Sequence, residues 1–174
     1  MMKISYLRLD DSLKLDSFDC GNTKSHKILN KFLKERAMQH QKEMIGTTII
    51  ALDSETDIIA GYITLLADII KVEENQKKTF FEKISMKNKY DTYPSIKIGR
   101  LAVHKDYQKL GIGNAFCKLA IAIAVKSNKQ IGIRFIVANA KKIAKDWYVK
   151  KQNFRVLDEN DELFLYYDLR GWSK

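Results

Sequence analysis

The sequence has little of what linkers, disulfide frameworks and metal sites are made from. Its 174 residues include one proline, eight glycines and two cysteines. So little proline and glycine leaves no room for a flexible linker, and we find no internal repeat, so we expect a single domain over residues 1–174. Cys20 and Cys117 do not form a Cys-x-x-Cys pair. We predict that both are small buried hydrophobes, and we predict no metal site.

Long apolar runs are also missing. The most apolar run covers residues 119–125 and falls far short of the ~20 residues that span a bilayer. The N-terminus lacks the apolar core of a signal peptide. We therefore expect a soluble, cytoplasmic protein without a membrane partner.

Acidic residues are fewer than basic ones, 21 against 31, which gives a formal net charge of +10. Such a charge concerns partners rather than fold. It suits RNA, DNA or an acidic protein, and the alternative is a lysine-rich solvated surface. One example is the outer face of the first predicted helix, which carries Lys24, Lys27, Lys31, Lys34 and Arg36. On this helix alone, the solvated surface is the favoured interpretation.

Hydrophobic periodicity predicts a mixed α/β fold around one sheet. Strands are expected at 4–9, 47–52, 58–67, 96–103, 133–138, 154–157 and 163–169, with Gly61 at a bulge. Helices are expected at 28–37, 113–127 and 141–152, the last with Ile143, Trp147 and Tyr148 on its apolar side. Residues 69–95 are predicted to be an excursion from the sheet that holds a short helix at 76–84 and ends at Pro94. Such excursions often cover an active site or meet a partner.

The stretch 96–115 predicts an anion site. A strand is followed by a turn with Gly111 and Gly113, and then by the start of a helix. The first N–H groups of a helix have no intrahelical partner and carry partial positive charge, and glycine lets a phosphate approach the backbone. The spacing is neither the three-glycine dinucleotide fingerprint nor a P-loop. The alternative is an ordinary strand-to-helix turn.

Gln108, Gly111 and Gly113 match the pattern Gln/Arg-x-x-Gly-x-Gly/Ala, just after Leu101-Ala102-Val103. This resembles the acetyl-CoA pyrophosphate loop of the GNAT superfamily of N-acetyltransferases. The resemblance implies the GNAT fold, a mixed central sheet flanked by helices in the order β-α-β-β-(excursion)-β-α-β-α-β-β, and acetyl-CoA as cofactor. It also implies the cofactor-binding residues, which are Leu101, Ala102, Val103, Gln108, Lys109, Leu110, Gly111, Ile112, Gly113, Asn114 and Asn139.

The same resemblance implies that Tyr148 is the catalytic acid that protonates the departing coenzyme A thiolate. A phenol with a pKa of ~10 stays protonated at neutral pH and can donate. The alternative is an aromatic core residue beside Trp147. No general base stands out, because Glu55, Glu73, Glu74 and the three histidines have no clear position relative to this tyrosine. A missing base weakly favours an α-amine acceptor over a protein lysine, since an α-amine has a pKa of ~7.7–8.0.

A second resemblance covers nearly the whole chain. Residues 18–22 read Phe-Asp-Cys-Gly-Asn, a helix with Leu29, Phe32 and Leu33 follows, and Gly-Arg-Leu-Ala-Val stands at 99–103. Ala144-Lys-Asp-Trp-Tyr148 is similar to an Ala-x-x-Phe-Tyr segment with Trp in place of Phe. These features are similar to the aminoacyl-tRNA-acetylating toxins of type II toxin–antitoxin systems.

That family implies acetylation of the α-amino group of aminoacyl-tRNA, which blocks translation. It also implies a homodimer and a ribbon-helix-helix antitoxin, through which alone operator DNA is bound. A tRNA substrate needs a basic surface. The candidate tRNA contacts are Arg100, Lys141, Lys142 and Lys145. The lysines belong to a basic rim near Tyr148, in which Asp146 is expected to be the only opposing acid.

Two alternatives remain open. One is a GNAT acetyltransferase that acts on a protein N-terminus or a small amine; a polyamine is disfavoured because the chain is basic. The other is a non-enzymatic module that binds coenzyme A or a partner in an antitoxin–operator complex.

Overall fold

The computed structural model describes residues 3–84 and 89–173. Within them, seven strands form one sheet in the order β1-β2-β3-β4-β5-β7-β6. The strands are β1 (Ile4–Arg8), β2 (Thr47–Asp53), β3 (Ile58–Lys71), β4 (Thr92–Val103), β5 (Phe135–Ala140), β6 (Arg155–Glu159) and β7 (Leu163–Asp168). The helices are α1 (Lys24–Glu35), α2 (Ala37–Lys42), α3 (Glu74–Lys83) and α4 (Ile112–Ser127). β4 and β5 are parallel, whereas β1–β2, β2–β3, β5–β7 and β6–β7 are antiparallel. The predicted mixed α/β fold is confirmed.

Local signals explain where the first and third helices begin. The Thr23 hydroxyl accepts a hydrogen bond from the His26 N–H (3.2 Å) and caps α1, as expected for an N-cap threonine. Glu73 and Gln76 form a reciprocal capping box at the start of α3, which satisfies two N–H groups that the helix leaves without a partner. The helix predicted at 28–37 therefore begins earlier, at Lys24, and it ends where Arg36 leaves helical geometry before α2.

The chain divides into two compact units. The first comprises Met1–Leu66 and Gly99–Lys118. Its core packs α1 and α2 against the sheet through fully buried Phe18, Leu33, Ile50 and Tyr62. The register of β2 with β3 shifts between Ala51 and Leu52, opposite Gly61, so the predicted bulge is present.

The second unit comprises Ala67–Ile98 and Leu119–Lys174. Its core is an aromatic cluster around Phe80 of α3, which contacts Tyr93, Phe135 and Tyr166 with ring centroids 5.1–6.0 Å apart. Rings at these separations add favourable edge and tilted contacts to the area that they bury. The helix α3, which connects β3 to β4, thus supplies a residue at the centre of this core.

The predicted excursion at 69–95 is too long. β3 continues to Lys71 and β4 begins at Thr92, so Pro94 lies inside a strand instead of before one. Charged residues in this stretch hid both strand ends, since Lys71 is the last residue of β3 and Asp91 directly precedes β4. The predicted helix at 76–84 is confirmed with a shift, as α3 covers Glu74–Lys83.

The helix predicted at 141–152 is not a regular α-helix. Lys142–Ala144 is a 3-10 turn and Trp147–Lys151 is a π-helical turn. The placement of Ile143 on a buried apolar side is wrong, because this side chain is 96% exposed whereas Tyr148 is 7% exposed. A turn that is first tighter and then wider than an α-helix breaks the 3.6-residue period on which the prediction rested.

Both cysteines are buried, as predicted. Burial raises the pKa of Cys20 to about 11, with the Asp19 carboxylate adding to the effect, and burial raises the pKa of Cys117 to about 12. Because the thiolate is the reactive form, we expect both thiols to resist alkylation in the folded protein at pH 8 and to react fully in denaturant. Mass spectrometry after iodoacetamide treatment measures this, and rapid labelling of either cysteine without denaturant would contradict it.

No helix among the described residues combines the length and the apolar character that crossing a membrane requires.

Candidate active site

The predicted anion loop is exposed and ends at a helix N-terminus. Lys109 and Gly111 have positive φ values of 64° and 89°, so the chain turns sharply before α4 begins at Ile112. A Cβ added at Gly111 would meet nothing within 4 Å, which means that the backbone here faces open space. The Ala115 N–H donates to the Gly111 carbonyl (3.0 Å) and closes the first turn of α4. The N–H groups of such a first turn suit a diphosphate, and the residues present therefore fit the phosphate end of acetyl-CoA.

Gln108 holds this loop to the N-terminal turn at residues 18–22. Its amide Nε2 donates to the Cys20 carbonyl (3.0 Å) and to the Val103 carbonyl (3.3 Å). The side-chain nitrogen of Gln108 is therefore directed at the protein's own carbonyls, and its approach to the pyrophosphate stays a prediction. An amide nitrogen that already serves two carbonyls fixes the shape of the loop rather than reaching outward.

Asp19 completes the same connection. Its carboxylate accepts hydrogen bonds from the Gly21 N–H (2.9 Å), the Asn30 amide (3.0 Å) and the Lys105 ammonium (3.0 Å). These donors stabilise the ionised carboxylate, so the pKa of Asp19 lies well below its usual range. The hydrogen bond to Asp19 in turn raises the pKa of Lys105. The Lys105 N–H also donates to the Asp19 carbonyl (2.9 Å). We call this set of contacts, together with Gln108, the turn–loop clasp.

Glycine is required within the clasp. Gly21 has a φ of 127°, and a Cβ there would lie 2.4 Å from Nδ1 of His26. The Phe-Asp-Cys-Gly-Asn motif therefore has a structural role. Asp19 binds Lys105, Gly21 leaves room for the His26 ring, and Phe18 is fully buried.

Arg100 lies exposed on β4 in the same unit. Its guanidinium sits 5.2 Å from the centroid of the Phe32 ring, and its Nη1 donates to the Gly99 carbonyl (2.6 Å). A planar guanidinium on an aromatic face is held in place while its other donors stay available. This is a suitable arrangement for an oxygen-rich ligand.

Tyr148 lies in the second unit, on the π-helical turn. Its ring packs edge-on against Trp147 and Phe154, with centroids 4.7 and 5.2 Å apart, and the Phe154 N–H donates to its carbonyl (3.0 Å). A π-turn inserts one extra residue into a helix and is frequent at functional sites. The ring is therefore rigidly positioned by its neighbours.

The basic rim near Tyr148 is more neutralised than the sequence indicates. Lys141 forms an ion pair with Glu162, Lys145 with Glu159, and Lys150 with Asp146. The expectation that Asp146 alone opposes these lysines is wrong, because the hairpin of β6 and β7 brings two further carboxylates to them. Among the described residues, Lys142 forms no such pair.

Asn139 is exposed near the end of β5 and borders a groove of about 500 Å³ in the second unit. Five of the side chains that line the groove are acidic, and Lys71 and Lys97 are its basic members. Both lysines already pair with carboxylates, Lys71 with Glu73 (2.9 Å) and Lys97 with Asp68 (3.2 Å). Glu162 pairs with Lys141, so the acids that give this groove a negative character are Asp158 and Asp161.

Three of the candidates for a general base make other contacts in the structure. Glu73 caps α3 and pairs with Lys71, and Glu74 pairs with Lys77 (2.7 Å). His104 is buried, and its Nδ1 accepts from the Asp106 N–H (3.3 Å). None of these contacts identifies a base.

The sequence model of the acetyltransferase (GNAT) family matches residues 16–154. The chain belongs to the GNAT acetyltransferase family. That match covers α1 through the π-helical turn and includes the loop, the clasp and Tyr148. The predicted family, and an acetyltransferase as the class of protein, are thereby confirmed.

Solved structures share the fold of this GNAT protein. A tyrosine-to-phenylalanine mutant of KacT is 24% identical, with a TM-score of 0.80, over 97% of this chain and 96% of that one. AtaT complexed with acetyl-methionyl-tRNAfMet is 22% identical, with a TM-score of 0.80, over 98% of this chain and 97% of that one. A mutant AtaT toxin bound to the C-terminus of the antitoxin AtaR and to acetyl-CoA is 20% identical, with a TM-score of 0.75, over 98% of this chain and 99% of that one.

Sequence reasoning missed the residues that build the clasp. Asn30 donates to Asp19 and accepts from the Cys20 N–H (2.9 Å), yet in the sequence it is only a polar residue inside a helix. Its position between the apolar residues Leu29 and Phe32 was an available signal, because a polar side chain at the edge of a buried helix face usually has a partner.

Proposed function

We propose that this GNAT protein transfers acetyl from acetyl-CoA to the α-amino group of aminoacyl-tRNA and thereby blocks translation. The observation that carries the proposal is the fold shared over nearly the whole chain with AtaT in its acetyl-methionyl-tRNAfMet complex. The family match to an acetyltransferase model supports the same reaction class. The exposed anion loop supports acetyl-CoA as the acetyl donor.

The proposed cofactor contacts are mostly main-chain groups. The N–H groups of the loop would bind the diphosphate, from residue 108 to Asn114 and including Lys109, Leu110 and Gly113. The main chain of Leu101, Ala102 and Val103 would pair with the pantetheine arm like an added strand. Asn139 would offer its exposed amide to the acetyl group. In this proposal Gln108 acts through the shape of the loop.

In the proposed reaction, the neutral amine attacks the thioester carbonyl carbon and the carbon–sulfur bond breaks. Tyr148 donates its phenolic proton to the departing sulfur and regains a proton from solvent. The amine loses its extra proton to solvent, which is feasible without a strong base because an α-amine has a pKa of only ~7.7–8.0. The carbonyl oxygen receives a hydrogen bond from a β4 main-chain N–H.

For the acceptor, we propose that Arg100 and Lys142 contact tRNA phosphates. Lys141 and Lys145 would join them only by exchanging their carboxylate partners for phosphates. We further propose a cytoplasmic homodimer that is neutralised by a ribbon-helix-helix antitoxin, through which it would bind operator DNA. Antitoxin binding by the similar AtaT toxin supports this part.

A second candidate acceptor is a small cationic amine. It is favoured by one observation, the acid-lined groove beside Asn139, because carboxylates attract an ammonium group. The overall basic charge disfavoured such a substrate, but a local groove of opposite sign can still bind one.

Radiolabelled acetyl-CoA separates the two candidates. We expect label to enter a mixed pool of charged tRNA and to remain on the amino acid, as an N-acetyl group, after the ester is hydrolysed. Deacylated tRNA is the matched control and should stay unlabelled. Label that appears in spermidine but in no aminoacyl-tRNA would overturn the proposal in favour of the second candidate.

A further inference from the structure

The outer face of α1 carries four lysines in a row, Lys24, Lys27, Lys31 and Lys34. At 100° per residue they fall within an arc of about 80°, and at 1.5 Å per residue they extend over about 15 Å. All four are exposed, and they lie opposite the face that buries Phe32 and Leu33. We call them the lysine row.

The lysine row lacks the counter-charges that other lysines of this protein have. Glu35 is the only acid within α1, and it reaches Lys31 at 3.7 Å. Among residues 3–84 and 89–173, no carboxylate forms an ion pair with Lys24, Lys27 or Lys34. By contrast, Lys141 and Lys145 of the basic rim are both paired.

The row also works against the stability of its own helix. Lys24 and Lys27 occupy the first turn, where the helix dipole is positive and α1 has no acid, so cations there are unfavourable. Like charges three or four residues apart repel by roughly 0.2–0.5 kcal/mol per pair. An arrangement that opposes helix stability, and in which three of the four lysines have no ion-pair partner among the described residues, indicates an external polyanion.

We infer that the lysine row is the surface that binds the phosphate backbone of tRNA. This inference rests on the proposed function for the identity of the RNA. A nucleic acid fits better than an acidic protein, because protein interface cores are depleted in lysine and enriched in aromatic residues. The only large apolar side chain known to be exposed on α1 is Ile28. A linear set of charges without an apolar centre matches a backbone of repeated phosphates.

The test compares two variants that lose the same charge. The row variant is K24Q/K27Q/K34Q, and the control is K118Q/K126Q/K129Q, whose three lysines are also exposed and unpaired among the described residues. Binding of aminoacyl-tRNA is measured between 50 and about 300 mM KCl. If the three lysines contact phosphates, the salt slope of log K should fall by roughly 2–3, with affinity on the order of 50-fold weaker at physiological salt. The control should stay within about threefold of the wild type.

Two further measurements exclude a structural effect. The midpoint of thermal unfolding of the row variant should stay close to that of the wild type, because the loss of repulsion is offset by the loss of the favourable Lys34 charge in the last turn of α1. Acetyl transfer to a short acceptor, an aminoacyl ester of the trinucleotide CCA, should be unchanged, since this acceptor has little backbone to contact.

The outcomes separate the inference from the proposed function. Equal salt slopes for the row variant and the control would overturn the inference, as would a row variant that binds tRNA normally but no longer binds an acidic antitoxin. A wild-type protein that acetylates neither aminoacyl-tRNA nor the aminoacyl ester of CCA would overturn the proposed function. The inference about the lysine row would then be decided by the salt dependence of tRNA binding alone.

Discussion

Replacing Tyr148 with phenylalanine is expected to slow acetyl transfer by about 10²–10⁴-fold, the usual contribution of a positioned general acid. The substitution removes one hydroxyl and keeps the ring, so the packing against Trp147 and Phe154 should persist. Affinity for acetyl-CoA should change little, because the proposed diphosphate contacts belong to the loop at 108–114. Single-turnover kinetics and calorimetric titration with acetyl-CoA measure the two quantities.

Tyr167→Phe is a matched control for this experiment. Tyr167 also contacts Phe154, with centroids 5.7 Å apart, and also loses only a hydroxyl. We expect its transfer rate to stay within about threefold of the wild type. If Y148F and Y167F turn out equally active, Tyr148 is not the acid and its ring serves only the core.

Replacing Phe80 with alanine is expected to lower the free energy of unfolding by about 3–5 kcal/mol, the range for phenylalanine truncation in a core. Phe80 is 1% exposed and contacts three aromatic residues of β4, β5 and β7. The surrounding rings are held by strands and cannot easily close the cavity. Urea unfolding followed by circular dichroism gives the value.

Phe81→Ala is the corresponding control. This neighbour is only partly buried, and Lys89 lies 5.3 Å from its ring centroid. We expect F81A to cost about 1 kcal/mol, within the range typical of point substitutions. If F80A cost no more than F81A, α3 would be a detachable cover rather than part of the core.

Patterns with one dominant periodicity could be predicted from the sequence. Strand alternation, the apolar face of α1 and the buried run of β5 each depend on local hydrophobic spacing, and the fold followed from their order. The segment around Tyr148 could not be predicted in this way, because a 3-10 turn and a π-turn follow no single period. Ile143 was consequently placed on the wrong side.

For the candidate site, the backbone conformation was easier to predict than the side-chain partners. Gly111 and Gly113 indicated a turn before a helix, and the structure has that turn at Gly111, whereas Gly113 already lies in the first turn of α4. The partners of Gln108 and Lys141 could not be predicted, since they depend on residues 88 and 21 positions away. The clasp and the neutralised rim are both products of such long-range contacts.

The turn–loop clasp joins two segments that are synthesised at different times. Lys105 and Asp19 are separated by 86 positions, and Gln108 and Cys20 by 88. At ~5–20 residues per second, a ribosome needs roughly 4–18 s to add that length of chain. During this interval the N-terminal turn has no partner to hold it, and contacts so distant in sequence form late because the intervening chain must first be ordered. The N-terminal turn is therefore synthesised seconds before the segment that holds it in place.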